Sequence, residues 1–220
     1  MASRALQRKP GPFAAAIHAL SARSDPACLL DTAGTILFVN DAWERSAREH
    51  GVAERCGAAM LVGSRLVDHV AGEEPRRVIS LLVARALQRR PGEGPVVLTS
   101  ENNGPDVARL VATRVEPVRA DGGLVVGVSL VHALVRERPA AEVYAPVDAG
   151  EREWRSRGGV LEQCSCCRRT RRPDAPEDWD FVPGLVAATP TDAAFVHCPL
   201  CRELHVPGGL ADADGPSASR

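Results

Sequence analysis

Apolar runs and turn residues alternate in a regular way from Ala27 onward. Ala27 to Leu30 is a short apolar stretch that predicts a strand, and Asp31 to Gly34 has the composition of a turn. Thr35 to Val39 predicts a second strand. Asn40 can cap the first turn of a helix that we expect to run to His50, because its side chain can accept a backbone N–H there. The pattern therefore predicts a hairpin followed by a helix.

A longer helix follows after a region of short helices and loops. Glu73, Glu74 and Pro75 are typical of a helix start, and Arg90-Pro91 is typical of an end. Between them, four apolar residues recur at helical spacing and form one stripe: Ile79, Leu82, Val83 and Ala86. This stripe predicts a helix that packs one face against a core.

Three further strands are predicted after this helix. They lie within residues 94–100, 107–118 and 124–131, and the first two are joined by the hairpin signal Asn103-Gly104. Two strands, a group of helices and three antiparallel strands together indicate an α+β fold.

Composition shifts predict how the rest of the chain is divided. The start is basic and alanine-rich, Pro139 to Glu151 has little periodicity, and the end is rich in glycine and aspartate. We expect the following parts: an extension with a helix (1–24), a domain that contains the predicted strands and helices (25–138), a linker (139–158), a four-cysteine module (159–207) and a disordered tail (208–220). No run is apolar and long enough to span a bilayer. The start faintly imitates a signal peptide, but its apolar patch is too short, so we expect a cytoplasmic protein.

Charge and cysteine content narrow the function classes. Hydrophobic residues make up 45% and aromatic residues 4% of the chain, which predicts a core of valine, leucine and alanine. The formal net charge of −1 gives no global reason to expect a nucleic-acid or membrane partner. Seven cysteines are an odd number, and five of them lie in the last third of the chain. Metal binding in a reducing compartment explains this distribution better than a disulfide framework.

Two Cys-x-x-Cys pairs, Cys164 to Cys167 and Cys198 to Cys201, predict a structural zinc site. Two intervening residues let the chain turn back and point both sulfurs at one metal. Our chosen ligands are Cys164, Cys167, Cys198 and Cys201, and the substitutes are Cys166, His197 and His205. The alternatives are buried or disulfide-bonded thiols, and redox chemistry through the adjacent Cys166 and Cys167.

The stretch Leu29 to Trp43 resembles the opening of a PAS domain, with an Asp-x-x-Gly turn and a strand that ends in Val39-Asn40. The whole chain resembles bacterial PAS proteins that carry a Cys-Ser-Trp-Cys … Trp … Cys-Pro-x-Cys module. Here Cys166 stands where that group has Trp. His197 directly precedes Cys198, whereas the group's usual His-Gly-Ile-Cys places the histidine two residues earlier.

The resemblance implies a PAS-like five-stranded antiparallel sheet with flanking helices, followed by a small zinc-ribbon-like module. It also implies a pocket that binds a small ligand or cofactor, and a homodimer. The long helix contains no histidine, so a haem ligand could only be His69, while His132 on the last strand could face the pocket. The alternative is a filled core without any ligand.

No catalytic set is visible, since the sequence has no phosphate loop, nucleophile elbow or kinase signature, and we expect no enzyme. The first hypothesis is a cytoplasmic signalling protein whose PAS domain relays through contacts with a protein partner. The alternative is a regulator that contacts nucleic acid through a basic cluster, Arg168, Arg169, Arg171 and Arg172. A weaker alternative is a thiol and zinc redox switch.

Overall fold

The structure is a computed structural model that describes residues 11–50, 52–148 and 150–205, with side chains as far as Glu203. The predicted disordered tail at 208–220 and the first ten residues of the predicted extension lie outside the described residues. The remainder of the extension contains helix α1, Ala14–Ser21. Among the described residues, none of the helices combines the length and the apolar character needed to cross a bilayer.

The first hairpin forms where the sequence predicts it. Strands β1 (Ala27–Asp31) and β2 (Ile36–Val39) pair antiparallel. The Asp31 carboxylate accepts the backbone N–H groups of Ala33 and Thr35 at 2.9 and 2.8 Å, and Gly34 adopts a φ of 82° that a side chain would disfavour. Aspartate and glycine thus set the geometry of the turn.

Asn40 caps the helix that follows and also joins three parts of the chain. Its side-chain oxygen accepts the N–H of Trp43 at 2.9 Å and that of Ala27 at 3.0 Å. Its amide group donates to the carbonyls of Leu20 and Asp25. Because Asn40 is almost fully buried, these bonds satisfy a polar group that would otherwise be costly to enclose.

The helical region and the three later strands complete the first sheet. The elements are α2 (Asp41–Glu49), α3 (Ala53–Cys56), α4 (Ala58–Leu61), a 3-10 helix (Leu66–His69), α5 (Glu73–Gln88), β3 (Val96–Glu101), β4 (Val107–Arg119) and β5 (Val125–Pro139). The sheet has five strands in the order β2-β1-β5-β4-β3. The predicted α+β fold with a five-stranded antiparallel sheet and flanking helices is confirmed.

Alternation along β1 and β5 separates two buried faces of this sheet. Ala27 and Leu29 pack with Val131 and with Leu20 of α1. Cys28 and Leu30 point to the opposite face, as period-two geometry requires, and both are fully buried. The central strands therefore read as nearly continuous apolar runs.

A second sheet of four short strands carries the cysteine module. Its elements are β6 (Glu162–Cys164), β7 (Thr170–Arg171), β8 (Trp179–Asp180) and β9 (Ala194–Val196), in the order β8-β7-β6-β9. Strands β6 and β9 are parallel, while the other pairs are antiparallel. The surrounding helices are α6 (Ala140–Val143), a 3-10 helix (Glu151–Trp154), α7 (Pro183–Ala187) and α8 (Pro199–His205).

The chain packs as two compact units. One contains the described part of Met1–Val97 together with Val111–Val135, and the other contains Leu98–Leu110 together with the described part of Arg136–Arg220. The boundary falls inside β3, β4 and β5, so each of these strands runs from one unit into the other. The segment 139–158, predicted as a linker, contributes buried Trp154 to the core of the second unit. The domain boundaries stay a prediction.

Candidate metal centre

The parallel pairing of β6 and β9 brings the two Cys-x-x-Cys pairs to one place. Cys164 is the last residue of β6 and lies opposite Val196, and Cys198 follows two residues after Val196. The second pair then continues into α8. All four cysteines are at most 1% exposed, and their Sγ atoms all lie within 4.8 Å of one another. The structure thus brings together Cys164, Cys167, Cys198 and Cys201.

The spacing of the sulfurs fits a tetrahedral metal better than a disulfide. The Sγ atoms of Cys167 and Cys198 are 3.6 Å apart, and all seven cysteines are free. A disulfide needs about 2.0 Å. Zinc–sulfur bonds of about 2.3 Å separate tetrahedral sulfurs by about 3.8 Å. The backbone N–H of Cys198 also points at Cys164 Sγ, 3.5 Å away, which helps to stabilise negative charge on that sulfur.

The first pair forms a tight turn that closes on Arg168. The N–H of Arg168 donates to the carbonyl of Cys164 at 3.1 Å, and the N–H of Cys164 donates to the carbonyl of Arg169 at 2.8 Å. Arg168 has a φ of 63°, the left-handed region that glycine favours, and is the single non-glycine residue with positive φ in the described part of the chain. The turn is therefore held in a conformation that its own sequence does not favour.

The substitute ligands lie close by but outside the four-sulfur group. Cys166 is partly buried and packs against the cluster together with Trp179. His197 is buried at 2% exposure and follows β9 directly. Within the described residues, the group of ligand atoms that all lie within 4.8 Å of one another consists of the four sulfurs. The side chain of His205 is not described.

Each arginine of the predicted basic cluster has a partner inside the second unit. Arg168 donates to Thr189 and lies over the Phe195 ring at 5.3 Å. Arg169 donates from Nε to Cys167 Sγ at 3.2 Å. The remaining two pair with carboxylates: Arg171 with Glu162 at 2.7 Å, and Arg172 with Asp180 at 3.4 Å and Asp174 at 3.6 Å.

Sequence reasoning missed the contacts that surround Cys167. Asn103 is 6% exposed, and its amide group donates to the Cys167 carbonyl at 2.9 Å and to the Tyr144 hydroxyl at 2.7 Å. Its place before Gly104 predicts an exposed hairpin turn, which conceals this role. Tyr144 is the only tyrosine of the chain and lies in the predicted linker, and that rarity was the one available signal.

The histidine candidates for a PAS pocket occupy different surroundings in the first unit. The His132 ring contacts the Trp43 ring, with centroids 5.6 Å apart, and shares a 2.9 Å hydrogen bond with Thr113. Burial lowers the pKa of His132 to about 4 and raises the pKa of the nearby strand thiol Cys28 to about 12. His69, in contrast, is exposed and hydrogen bonds to Ser64.

A groove of about 190 Å³ lies in the first unit between the β1–β2 turn and α5. Its walls are mainly apolar, with Leu66, Val67, Ile79 and Val83 beside Arg65. Neither His69 nor His132 is among its lining residues. The groove therefore suits an apolar group with an anionic or polar end, and it offers no histidine to a metal.

Comparison with known proteins gives structural matches alone. No family model matches the chain, and no curated protein sequence matches it. The PAS domain of BvgS from Bordetella pertussis is 20% identical, with a TM-score of 0.43 over 58% of this chain and 88% of that one. The phage VqmA–DPO complex is 19% identical, with a TM-score of 0.42 over 55% of this chain.

The chain covers 51% of the phage VqmA chain, about half of that protein's length. The Aer2 receptor from Vibrio cholerae, described as a dual PAS-heme oxygen sensor, is 19% identical, with a TM-score of 0.36 over 51% of this chain and 95% of that one. At such identities and TM-scores the likenesses carry no argument about function. The functional conclusion has to come from the residues of this chain.

Proposed function

We propose that this chain is a signalling protein without catalytic activity, in which a PAS-like sensory and dimerisation domain works with a structural zinc module. The observation that carries the proposal is the buried group of four sulfurs at the ends of the parallel strands β6 and β9. The signal leaves through contacts with a protein partner in the cytoplasm. Seven free thiols suit the reducing conditions there.

The four cysteines would hold Zn²⁺ as a closed tetrahedral site, which contributes folding free energy and leaves no coordination position for a substrate. Cys164 and Cys167 fix the turn between β6 and β7. Cys198 and Cys201 fix the start of α8. The donor set is all thiolate, which selects zinc over hard cations such as Mg²⁺ and Ca²⁺. The role of the module is therefore to hold a surface, in the manner of a zinc ribbon.

The sensory half of the proposal concerns the first unit. Its groove beside α5 would take a small ligand with an apolar body, and Arg65 would neutralise an anionic end. The chain would act as a homodimer, as the PAS resemblance implies. In this arrangement, ligand binding changes the sheet and the zinc module presents the change to the partner.

The test is a native mass spectrum of the purified full chain, taken together with its absorption spectrum. We expect one zinc per chain and a dimer mass. The double variant Cys164→Ser, Cys198→Ser should lose the zinc, whereas Cys56→Ser should keep it, because Cys56 lies in α3, outside the four-sulfur group. Wild-type protein without zinc, or a double variant that retains it, would overturn the proposed metal site. An added organic mass would reveal a small ligand bound to the chain.

A further inference from the structure

The turn between β3 and β4 belongs to the same compact unit as the cysteine module. That unit combines Leu98–Leu110 with the described part of Arg136–Arg220. Asn103 lies in this turn, and its side-chain oxygen accepts the N–H of Arg109 at 2.9 Å. The N–H of Gly104 donates to Val107 across the turn at 2.9 Å. The side-chain oxygen of Asn103 thus stabilises the turn, and its side-chain N–H groups remain available for contacts outside the turn.

The amide N–H groups of Asn103 connect the hairpin to the first cysteine turn. One contact is the Cys167 carbonyl at 2.9 Å, and another is the Tyr144 hydroxyl at 2.7 Å. The Tyr144 hydroxyl in turn donates to Glu101 Oε2 on β3 at 2.7 Å. Burial, reinforced by the hydrogen bond and charge of Glu101, raises the pKa of Tyr144 far above its usual value. The phenol therefore keeps the proton that it donates.

Tyr144 also ties this hydrogen-bond chain to the sulfurs. Its ring stacks on Phe181, with centroids 4.7 Å apart and planes 17° from parallel. The Arg169 guanidinium lies over the Tyr144 ring, 5.9 Å from the ring centroid. The same guanidinium donates to Cys167 Sγ at 3.2 Å and reaches Cys198 Sγ at 3.6 Å. Arg169 consequently contacts one sulfur of each pair.

Electrostatics favours this position for an arginine. Four thiolates around Zn²⁺ carry two net negative charges, and partly buried charge needs a compensating partner. Arg169 supplies a positive charge and N–H groups aimed at the sulfurs, so it stabilises the metal-bound form. Asn103 fixes the carbonyl of the same cysteine whose sulfur Arg169 contacts. Asn103 and Arg169 therefore contact the backbone and the side chain of the same cysteine.

We propose that metal occupancy at the four cysteines is coupled to the order of the β3–β4 hairpin through Asn103, Tyr144 and Arg169. This coupling rests on the proposed zinc site, and it adds positioning residues whose contacts depend on whether the metal is bound. Because β3 and β4 continue into the first unit, a change at the hairpin reaches the strands of the PAS-like sheet. Coupling is reciprocal, so any event that displaces the hairpin also weakens zinc binding.

The first experiment measures hydrogen exchange of the full chain with zinc bound and after removal by a chelator. We expect the amides of Gly104 and Arg109 to exchange about tenfold faster without zinc, in the range typical of coupled sites. With zinc bound, Asn103→Ala should already show the faster exchange. Equal protection of the wild-type hairpin with and without zinc would overturn the coupling, while leaving the zinc site itself intact.

The second experiment measures zinc transfer to a coloured chelator and separates positioning from general stability. Tyr144→Phe removes one hydroxyl and keeps the ring stack, and we expect it and Arg169→Met to release zinc about tenfold faster than wild type, as outer-sphere changes do. Arg171→Gln is the matched control, since Arg171 pairs with Glu162, and it should release zinc at the wild-type rate. Unchanged release from both Tyr144→Phe and Arg169→Met would contradict the proposal.

Cobalt substitution gives a signature that a purely structural role would not move. The sulfur-to-cobalt charge-transfer bands depend on hydrogen bonds to the sulfurs, so Arg169→Met should shift them. Arg169→Lys, which retains a charged donor, should restore part of the wild-type spectrum. Identical band positions in Co²⁺-loaded wild type and Arg169→Met would contradict a contact between Arg169 and the metal-bound sulfurs. A wild-type protein that binds neither metal would remove the proposed function as well.

Discussion

His132 is a histidine that the fold keeps uncharged near neutral pH. Its ring contacts Trp43 and Thr113, both uncharged, and burial lowers the pKa of His132 from 6.5 to about 4. As the pH falls from 6.5 to 4, only the unfolded chain binds this proton. The stabilisation is therefore present above pH 6.5 and is lost toward pH 4. Since one pKa unit is about 1.4 kcal/mol and the residue keeps some exposure, we expect a loss of about 2 kcal/mol in free energy of unfolding.

The measurement is urea unfolding of wild type and His132→Gln at a series of pH values. Glutamine keeps a polar partner for Thr113 and cannot titrate. Any metal bound by the cysteines is lost over the same pH range in both proteins, so the difference between their curves isolates His132. Parallel curves for the two proteins would contradict a lowered pKa in the folded state.

The short 3-10 helix Glu151–Trp154 shows how an apparently irregular segment joins a core. Trp154 is 5% exposed and packs with Leu161, Val182 and Leu185. Arg155 follows and pairs with Glu151 at 2.6 Å and Asp192 at 2.9 Å, which holds the segment in place. The indole N–H of Trp154 has no hydrogen-bond partner among the described residues. Its contribution to stability is therefore packing alone.

We expect Trp154→Ala to lower the free energy of unfolding by about 3–5 kcal/mol, the usual cost of emptying a large aromatic site. Trp154→Phe should cost about 1 kcal/mol, because it keeps most of the packing and breaks no hydrogen bond. Trp43→Phe is the matched control. This substitution, unlike Trp154→Phe, does break a hydrogen bond, the 2.9 Å bond from the indole N–H to the Cys56 carbonyl. Urea unfolding followed by circular dichroism measures all three. A Trp154→Ala protein as stable as wild type would show that the segment is not part of the core.

Sequence reasoning located elements where local chemistry decides the structure. Asn40 is a recognisable helix cap, and Asp31 with Gly34 defines a turn, because each bonds to backbone only a few residues away. The apolar pattern predicts that the last strand ends near Val131, whereas β5 continues to Pro139. Residues Arg136 to Arg138 are polar and exposed, so their strand conformation depends on the neighbouring strand and has no hydrophobic pattern.

The sequence predicts which cysteines form the candidate metal site, but it does not predict which residues surround them. Cys-x-x-Cys spacing identifies the sulfurs, since each pair is a local turn. The parallel pairing of β6 with β9 and the contacts of Asn103 with Cys167 join residues far apart in the chain. Such contacts leave no periodic trace in a single sequence. The partners of the sulfurs therefore emerge only from the fold.

Across the whole molecule, charge is almost balanced, with 27 lysine and arginine residues against 28 aspartate and glutamate residues. Duplex DNA binding needs cations that are free to replace the counterions of phosphates. In the described structure, Arg169 is engaged by the sulfurs, and Arg171 and Arg172 are paired with carboxylates that would repel phosphate. A zinc-bound four-thiolate centre adds further negative charge beside them.

We therefore expect no salt-dependent binding of duplex DNA, measured as fluorescence anisotropy of a labelled duplex in low-salt buffer, with any dissociation constant weaker than about 10⁻⁴ M. The matched control combines Glu162→Gln, Asp174→Asn and Asp180→Asn, which removes the carboxylates from Arg171 and Arg172 and should bind measurably more tightly. That gain would prove that the assay detects freed arginines. Wild-type binding that weakens as salt increases, and that disappears in Arg171→Ala, Arg172→Ala, would instead make the basic cluster a nucleic-acid contact and replace the protein partner in the proposed relay.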